Sequence, residues 1–262
     1  MITSGLGAQR RLVALGVTAT ALVVSTGGGS AASATTNTTP GTTTPTITST
    51  QPSTTGTTPA TNPAADTGIA RNAELKLRDF PSGWERRGDP PADLNSSCTG
   101  FQMASMAASA AQSSAVFAER ADTEYQVRSF VFGFPDAQVA RQALSLLISR
   151  ANRACVAEIE KKDLAEYYAG LTTGNGPKLT VGRVTTRLVS MPPVGDQHAD
   201  ARLTVSLHAP GEAISVYLDY VFARTGRGVA GLAVTGAVLP LGQSVTDRLI
   251  KTVVDRLEPG FG

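Results

Sequence analysis

The most regular feature of the chain is a period of two across its C-terminal third. Residues 178–190 read as one strand. In a second, Ala201, Leu203, Val205 and Leu207 alternate with Arg202, Thr204, Ser206 and His208. In a third, Ile214, Val216, Leu218, Tyr220 and Phe222 alternate with Ser215, Tyr217, Asp219 and Val221. Residues 229–238 make a fourth, rich in small side chains at Gly231, Ala233 and Gly236. Alternation of this kind sends one set of side chains to each face of a pleated strand. The joints at Pro210-Gly211 and at Thr225-Gly226-Arg227-Gly228 are short turns, so the strands form an antiparallel meander.

Upstream, residues 124–134 form another strand. Tyr125, Val127, Ser129 and Val131 take one face, and Phe130, Phe132 and Phe134 the other. The period then becomes helical after Pro135-Asp136. Ala140, Leu144, Leu147, Ala151 and Cys155 fall on one apolar face, which turns Cys155 inward. Gly174-Asn175-Gly176-Pro177 breaks the pattern before the meander. A last helix spans 243–257, with Val245, Leu249, Val253 and Leu257 on its buried side and Ser244 with Asp247 as a capping pair. Asp247, Lys251 and Asp255 have the spacing of exposed i,i+4 pairs. Near the start of the domain, "AELKLRDFPSGW" at 73–84 turns at Asp79–Gly83, and Phe80 and Trp84 are expected to dock as apolar plugs. Residues 109–119 read as a short helix or an edge element. The sum is a single α+β domain, a mostly antiparallel sheet of about five strands with helices packed on it.

Composition divides the chain into three parts. Arg10 and Arg11 precede the apolar run 12–24, and small residues follow it up to Ala32-Ser33-Ala34, an A-x-A cleavage pattern. Residues 1–34 therefore read as a signal peptide; an uncleaved N-terminal membrane segment is the alternative. Residues 35–67 hold 16 threonines, five prolines and one acid, Asp66. Such a segment has too little to bury to offset the entropy of ordering, so 35–68 reads as a disordered Thr/Pro-rich stalk, with 69–262 as the domain. Its hydroxyls are candidate O-glycosylation sites, and Asn37 and Asn95 open N-glycosylation triplets.

Export changes the meaning of charge and of cysteine. The chain carries 23 Lys+Arg and 21 Asp+Glu. Removing Arg10 and Arg11 leaves 21 of each, and no basic footprint for nucleic acid remains. Cys98 and Cys155 are the two cysteines, and an exported chain with an even count is expected to pair them. With His198 and His208 they match no metal-site spacing, so neither metal nor cofactor is expected.

No nucleophile elbow, zinc-helix motif, P-loop or dinucleotide fingerprint occurs in the sequence, and no enzymatic activity is expected. His208 reads as an exposed edge histidine. Asp219, in "VYLDYVFARTGR", is an unusual residue for mid-strand. With Tyr217, Arg202, Thr204, Ser206 and Thr235 it offers one wall of a cleft for a small polar ligand. Arg202, Tyr217 and Asp219 are the candidate ligand-binding residues. The alternative is a solvated sheet face, or Asp219 salt-bridged to Arg202 or Arg227 for structure.

The order "DFPSGW", an early cysteine, an aromatic-rich strand, a helix ending in a cysteine, "VGD", "YLDYVFARTGR" and a final amphipathic helix resembles the PknH-like extracellular sensor domains of exported mycobacterial-type envelope proteins. The resemblance spans Ala73 to Leu257. It implies a secreted or envelope-associated, extracytoplasmic, sensor-like domain whose partner is an unidentified small molecule, glycan or envelope protein. A purely structural or interaction protein of the envelope is the alternative. Sensor domains of that kind hold more than one disulfide, and two cysteines here allow only one.

Overall fold

The computed structural model describes residues 62–88, 97–119, 125–171, 179–209 and 211–262. The signal peptide, the stalk up to residue 61, the glycosylation candidates Asn37 and Asn95, the loop at Pro90-Pro91 and the Gly174–Pro177 break lie outside the described residues. Five α-helices are described: α1 (Pro63–Ala73), α2 (Thr99–Ala107), α3 (Ala137–Leu147), α4 (Arg150–Leu171) and α5 (Gln243–Phe261). The strands are β1 (Trp84–Gly88), β2 (Ala110–Ser113), β3 (Val116–Glu119), β4 (Tyr125–Gly133), β5 (Thr180–Val189), β6 (Gln197–Ala209), β7 (Glu212–Thr225) and β8 (Gly228–Ala237).

The strands form one antiparallel sheet in the order β1-β3-β4-β8-β7-β6-β5, with β2 also paired to β4. The expected meander of four is present as β5 to β8, and β4 joins it along β8. Eight strands replace the expected five or so: Trp84–Gly88 is the added strand β1, and 109–119 is neither a helix nor one edge element. It is the two short strands β2 and β3. Four residues each leave little alternation to read.

Each face of the sheet is covered by helices and has its own core. On one face Leu249, Ile250, Val253 and Leu257 of α5, with α1, pack on Val127, Val131, Val221 and Leu232. On the other, α2, α3 and α4 cover Phe130, Phe132, Leu203, Val205, Phe222 and Val229. Phe80 and Trp84 dock on the first core as expected, their rings stacked 4.6 Å apart. Burial of this kind drives the fold at about 25 cal/mol per Å² of apolar surface.

Three local expectations change. The stalk boundary moves: residues 63–68 belong to α1, which Asn62 caps by accepting from the N–H groups of Ala64 and Ala65, with Pro63 in the first turn. Asp66 anchors this helix. It is buried and accepts two hydrogen bonds from Arg227 at 2.7 and 2.8 Å. Those bonds hold its carboxyl below the usual range against the cost of burial. The helix after Pro135 is two helices, broken at Ile148-Ser149. Ala140, Leu144 and Leu147 are buried, but Ala151 beyond the break is exposed. Finally, Ser244 does not cap α5. The cap is Gly242, and Asp247 instead accepts from the Gln243 side chain at 2.9 Å. The exposed pair Lys251–Asp255 is present.

Candidate functional site

Arg202 and Asp219 are directly opposed on β6 and β7. The guanidinium donates Nε to Oδ1 at 2.6 Å and Nη2 to Oδ2 at 2.7 Å. Arg202 is 7 % exposed and Asp219 2 %. The pair is thus the structural alternative of the sequence reading: a bidentate, buried bridge whose strongest groups are already used by each other. Arg227 is occupied with Asp66 instead. Tyr217 lies two residues from Asp219 on the same face, half-buried, between Gly236 and Thr204. Thr235 does not belong to this wall. It opposes Leu218 and Gln126, so it points to the other face. His208 is exposed at the strand end, as expected.

Beside the Arg202–Asp219 pair sits a carboxyl the sequence reading missed. Asp200, 1 % exposed, is held up to about 6 by burial and by the neighbouring Asp219, against a weak hydrogen bond from Gln243 and the charge of Arg202. Its Oδ1 has no hydrogen-bond partner among the described residues. The ordinary value is 3.8, below the folded one, so the contribution of Asp200 to stability is complete below pH 3.8 and is lost as pH rises through about 6. Asp200→Asn is therefore expected to stabilise the protein by ~1–3 kcal/mol at pH 7.5 and to have little effect at pH 4. Urea unfolding of both proteins at the two pH values measures the difference; equal gains at both would contradict it.

The opposite face carries a second ionisable cluster. A cross-strand row runs Arg128 of β4, Ala233 of β8 and Tyr220 of β7. The next row is Phe130, Gly231 and Phe222, and there the Phe130 ring fills the space over the glycine: a Cβ on Gly231 would lie 1.9 Å from it. Ala233, on a central strand, is half-exposed. Arg128, also half-exposed, and Tyr220 flank Ala233 on the two neighbouring strands. Glu160, from α4 above, accepts a hydrogen bond from the Tyr220 hydroxyl. Gln126 and Thr235, both 8 % exposed, make the adjoining row.

Burial dominates the electrostatics of this cluster. It pushes the Glu160 carboxyl above the usual carboxylate range; Asp163 adds to the shift, and the Tyr220 hydrogen bond and Arg128 oppose it. Tyr220 is raised by burial and by Glu160. Arg128 is lowered by burial, while Tyr220 and Glu160 favour its charge. Among the described residues no acceptor lies within hydrogen-bond reach of the Arg128 guanidinium. A guanidinium has five donors, and partly buried polar groups normally find partners. Here a cation and an acid that burial pushes up stand near one another. Ionisable groups perturbed together mark a candidate functional site. A cavity of about 10 Å³, lined by Phe101, Leu147, Asn152, Val156, Tyr220 and Phe222 among others, has room for about one water molecule and is too small for a ligand.

Sequence reasoning missed this cluster, although one signal was present. Arg128 falls on the alternation that otherwise reads Phe130, Phe132, Phe134, the buried aromatic face. A cation there has to be paired or put to use.

No family model matches the chain, and no curated protein matches it. Among solved structures, the extracellular domain of PknH from Mycobacterium tuberculosis is similar with a TM-score of 0.38 and 13% sequence identity, over 74% of this chain and 96% of that one. At that level the likeness assigns no residue a role. Among the described residues no helix is long and apolar enough to cross a membrane, and no group of three or more His, Cys, Asp or Glu is placed to hold a metal ion.

Proposed function

We propose that the protein is an extracytoplasmic, non-enzymatic, sensor-like binding domain of the cell envelope, carried on a Thr/Pro-rich stalk, with the sheet face around Arg128, Ala233 and Tyr220 as its site for a small polar ligand. One observation carries this reading: the Arg128 guanidinium, with no hydrogen-bond acceptor among the described residues, lies near a Tyr220–Glu160 pair bonded to each other. Tyr220 and Glu160 are committed to one another, which suits holding a ligand rather than attacking one. The paired cysteines support an oxidising compartment. The second reading, an interaction protein without a small ligand, is favoured by the edge strand β5, mostly exposed and with Leu188 58 % exposed.

A melting-temperature screen separates the two. Soluble cell-wall fragments, oligosaccharides, small carboxylic acids and lipids are tested at concentrations well above micromolar. A ligand present at 100 times its Kd stabilises by about 2.7 kcal/mol, which for a domain of this size raises Tm by ~5–10 °C. At least one class is expected to do so. A screen flat across all classes would favour the interaction protein.

A further inference from the structure

We infer that the edge strand β5 is a docking surface for an extended, acidic segment of another protein, which joins the sheet as a further strand. This surface is separate from the ligand site proposed above and does not depend on it.

Exposure marks the strand first. β5 ends the sheet order, and among the described residues it pairs with β6 alone. Thr185 and Arg187 lie on one face, Thr186 and Leu188 on the other, and all four are exposed, Leu188 at 58 %. Both faces are thus uncovered over this stretch, and an edge of that kind can take up an incoming chain through its main-chain groups.

Protection against such pairing is only local. The register to β6 shifts between Val181 and Val184, then runs unbroken from Val184 to Val189. Val184, Thr185, Thr186 and Val189 are β-branched, and no glycine or proline interrupts them, so the stretch suits a partner strand of ordinary length. The other end of the sheet differs. There β1 has five residues, its register to β3 shifts between Arg86 and Gly88, and its Arg87 is paired with Glu85.

Charge then selects the partner. β5 carries Arg183 and Arg187, both exposed, and no acid. A second copy of β5 would bring only two more arginines to the contact, and like charges across a strand pair repel. An acid opposite Arg187 is attracted instead, and an apolar residue next to it in the chain covers Leu188 on the other face. The segment that fits therefore alternates acidic and apolar residues.

The test titrates the ¹⁵N-labelled protein with three short synthetic peptides. One alternates valine and glutamate, the second has lysine in place of glutamate, and the third is the glutamate peptide with proline at its centre. The glutamate peptide is expected to shift the amides of Val184, Thr186 and Leu188 saturably and to leave those of Arg128 and Ala233 unmoved, which keeps the result apart from that for the ligand site. The lysine peptide should bind roughly tenfold more weakly, a factor that two charge pairs supply. The proline peptide, short of one main-chain donor, should lose most of the response. Both arginines are exposed, so Arg183→Glu/Arg187→Glu should keep the wild-type Tm while reversing the preference to the lysine peptide. A glutamate peptide that moves none of the β5 amides up to millimolar concentration, or that binds no better than the lysine peptide, overturns the inference. Shifts of the same amides with protein concentration alone, together with a doubled mass in light scattering, would make the occupant a second copy and overturn it as well.

Discussion

Removing the Cys98–Cys155 disulfide is expected to lower stability by about 4 kcal/mol, or roughly 8–16 °C in Tm for a domain of this size. The bond closes a loop with a sequence separation of 57, and its main effect is to restrict the unfolded chain. It also secures a local junction. Cys98 precedes the first turn of α2, and Cys155 sits in the second turn of α4. Between them Asn152, 5 % exposed, accepts from the Gly100 N–H at 3.0 Å and donates to the Leu147 carbonyl at 2.8 Å. A Cβ on Gly100 would lie 2.4 Å from the Asn152 side chain, so helix and asparagine are in close contact. Without the covalent tie, α2 depends on that junction and on Phe101, which packs against Phe130, Tyr220 and Phe222. Cys98→Ala/Cys155→Ala, compared with the wild type by calorimetry with and without reductant, measures the effect. A reduced wild type that melts with the oxidised one would contradict it.

Arg202→Ala is expected to cost 3–5 kcal/mol, a loss on the order of that from the disulfide. The cost comes from what remains. Asp219 would be left 2 % exposed without its cation, next to Asp200, which already has no full partner. Replacing both members with apolar residues removes the stranded charge, so Arg202→Met/Asp219→Leu is expected to recover most of the loss. Denaturant unfolding of the two single variants and the double variant gives the coupling directly. Additive losses in the double variant would mean that the pair is not coupled. A fall in ligand binding seen with Asp219→Ala alone would then reflect lost stability, so variants of this pair cannot locate a binding site.

The fold was legible in the sequence wherever one period ran for several residues. The meander β5–β8, the strand β4 and the final helix all follow from alternation or from a helical apolar stripe, because each buries one face against a core. The N-terminal half was less legible for physical reasons. The strands β2 and β3 are too short to show a period, and α2 lies in an Ala/Ser/Met segment with no capping side chain. The start of α1 had a readable signal in Asn62-Pro63 and Asp66, a cap, a first-turn proline and a first-turn acid, hidden by the threonine-rich composition around it. The candidate site was legible only in part. Asp219 drew attention as a strand aspartate, and its partner Arg202 was among the alternatives. Local pattern does not say whether a charge is satisfied across a strand or left open. Glu160 was unreadable because α4 has little amphipathic character, so its inward face is fixed by tertiary packing on the sheet. Arg128 and Tyr220 meet only through the register of β4, β8 and β7, and register is set by the whole sheet.

Two clusters of charge lie on opposite faces of one sheet. One is closed by the Arg202–Asp219 bridge, and the other, around Arg128, Tyr220 and Glu160, is the proposed binding site. The measurement that tests this division most directly takes the compound giving the largest Tm shift in the wild type and repeats the titration with Arg128→Ala and Tyr217→Ala side by side. The shift is expected to vanish in Arg128→Ala and to persist in Tyr217→Ala, both variants remaining folded. A shift retained in Arg128→Ala and lost in Tyr217→Ala would contradict the assignment and return the site to the face of Asp219.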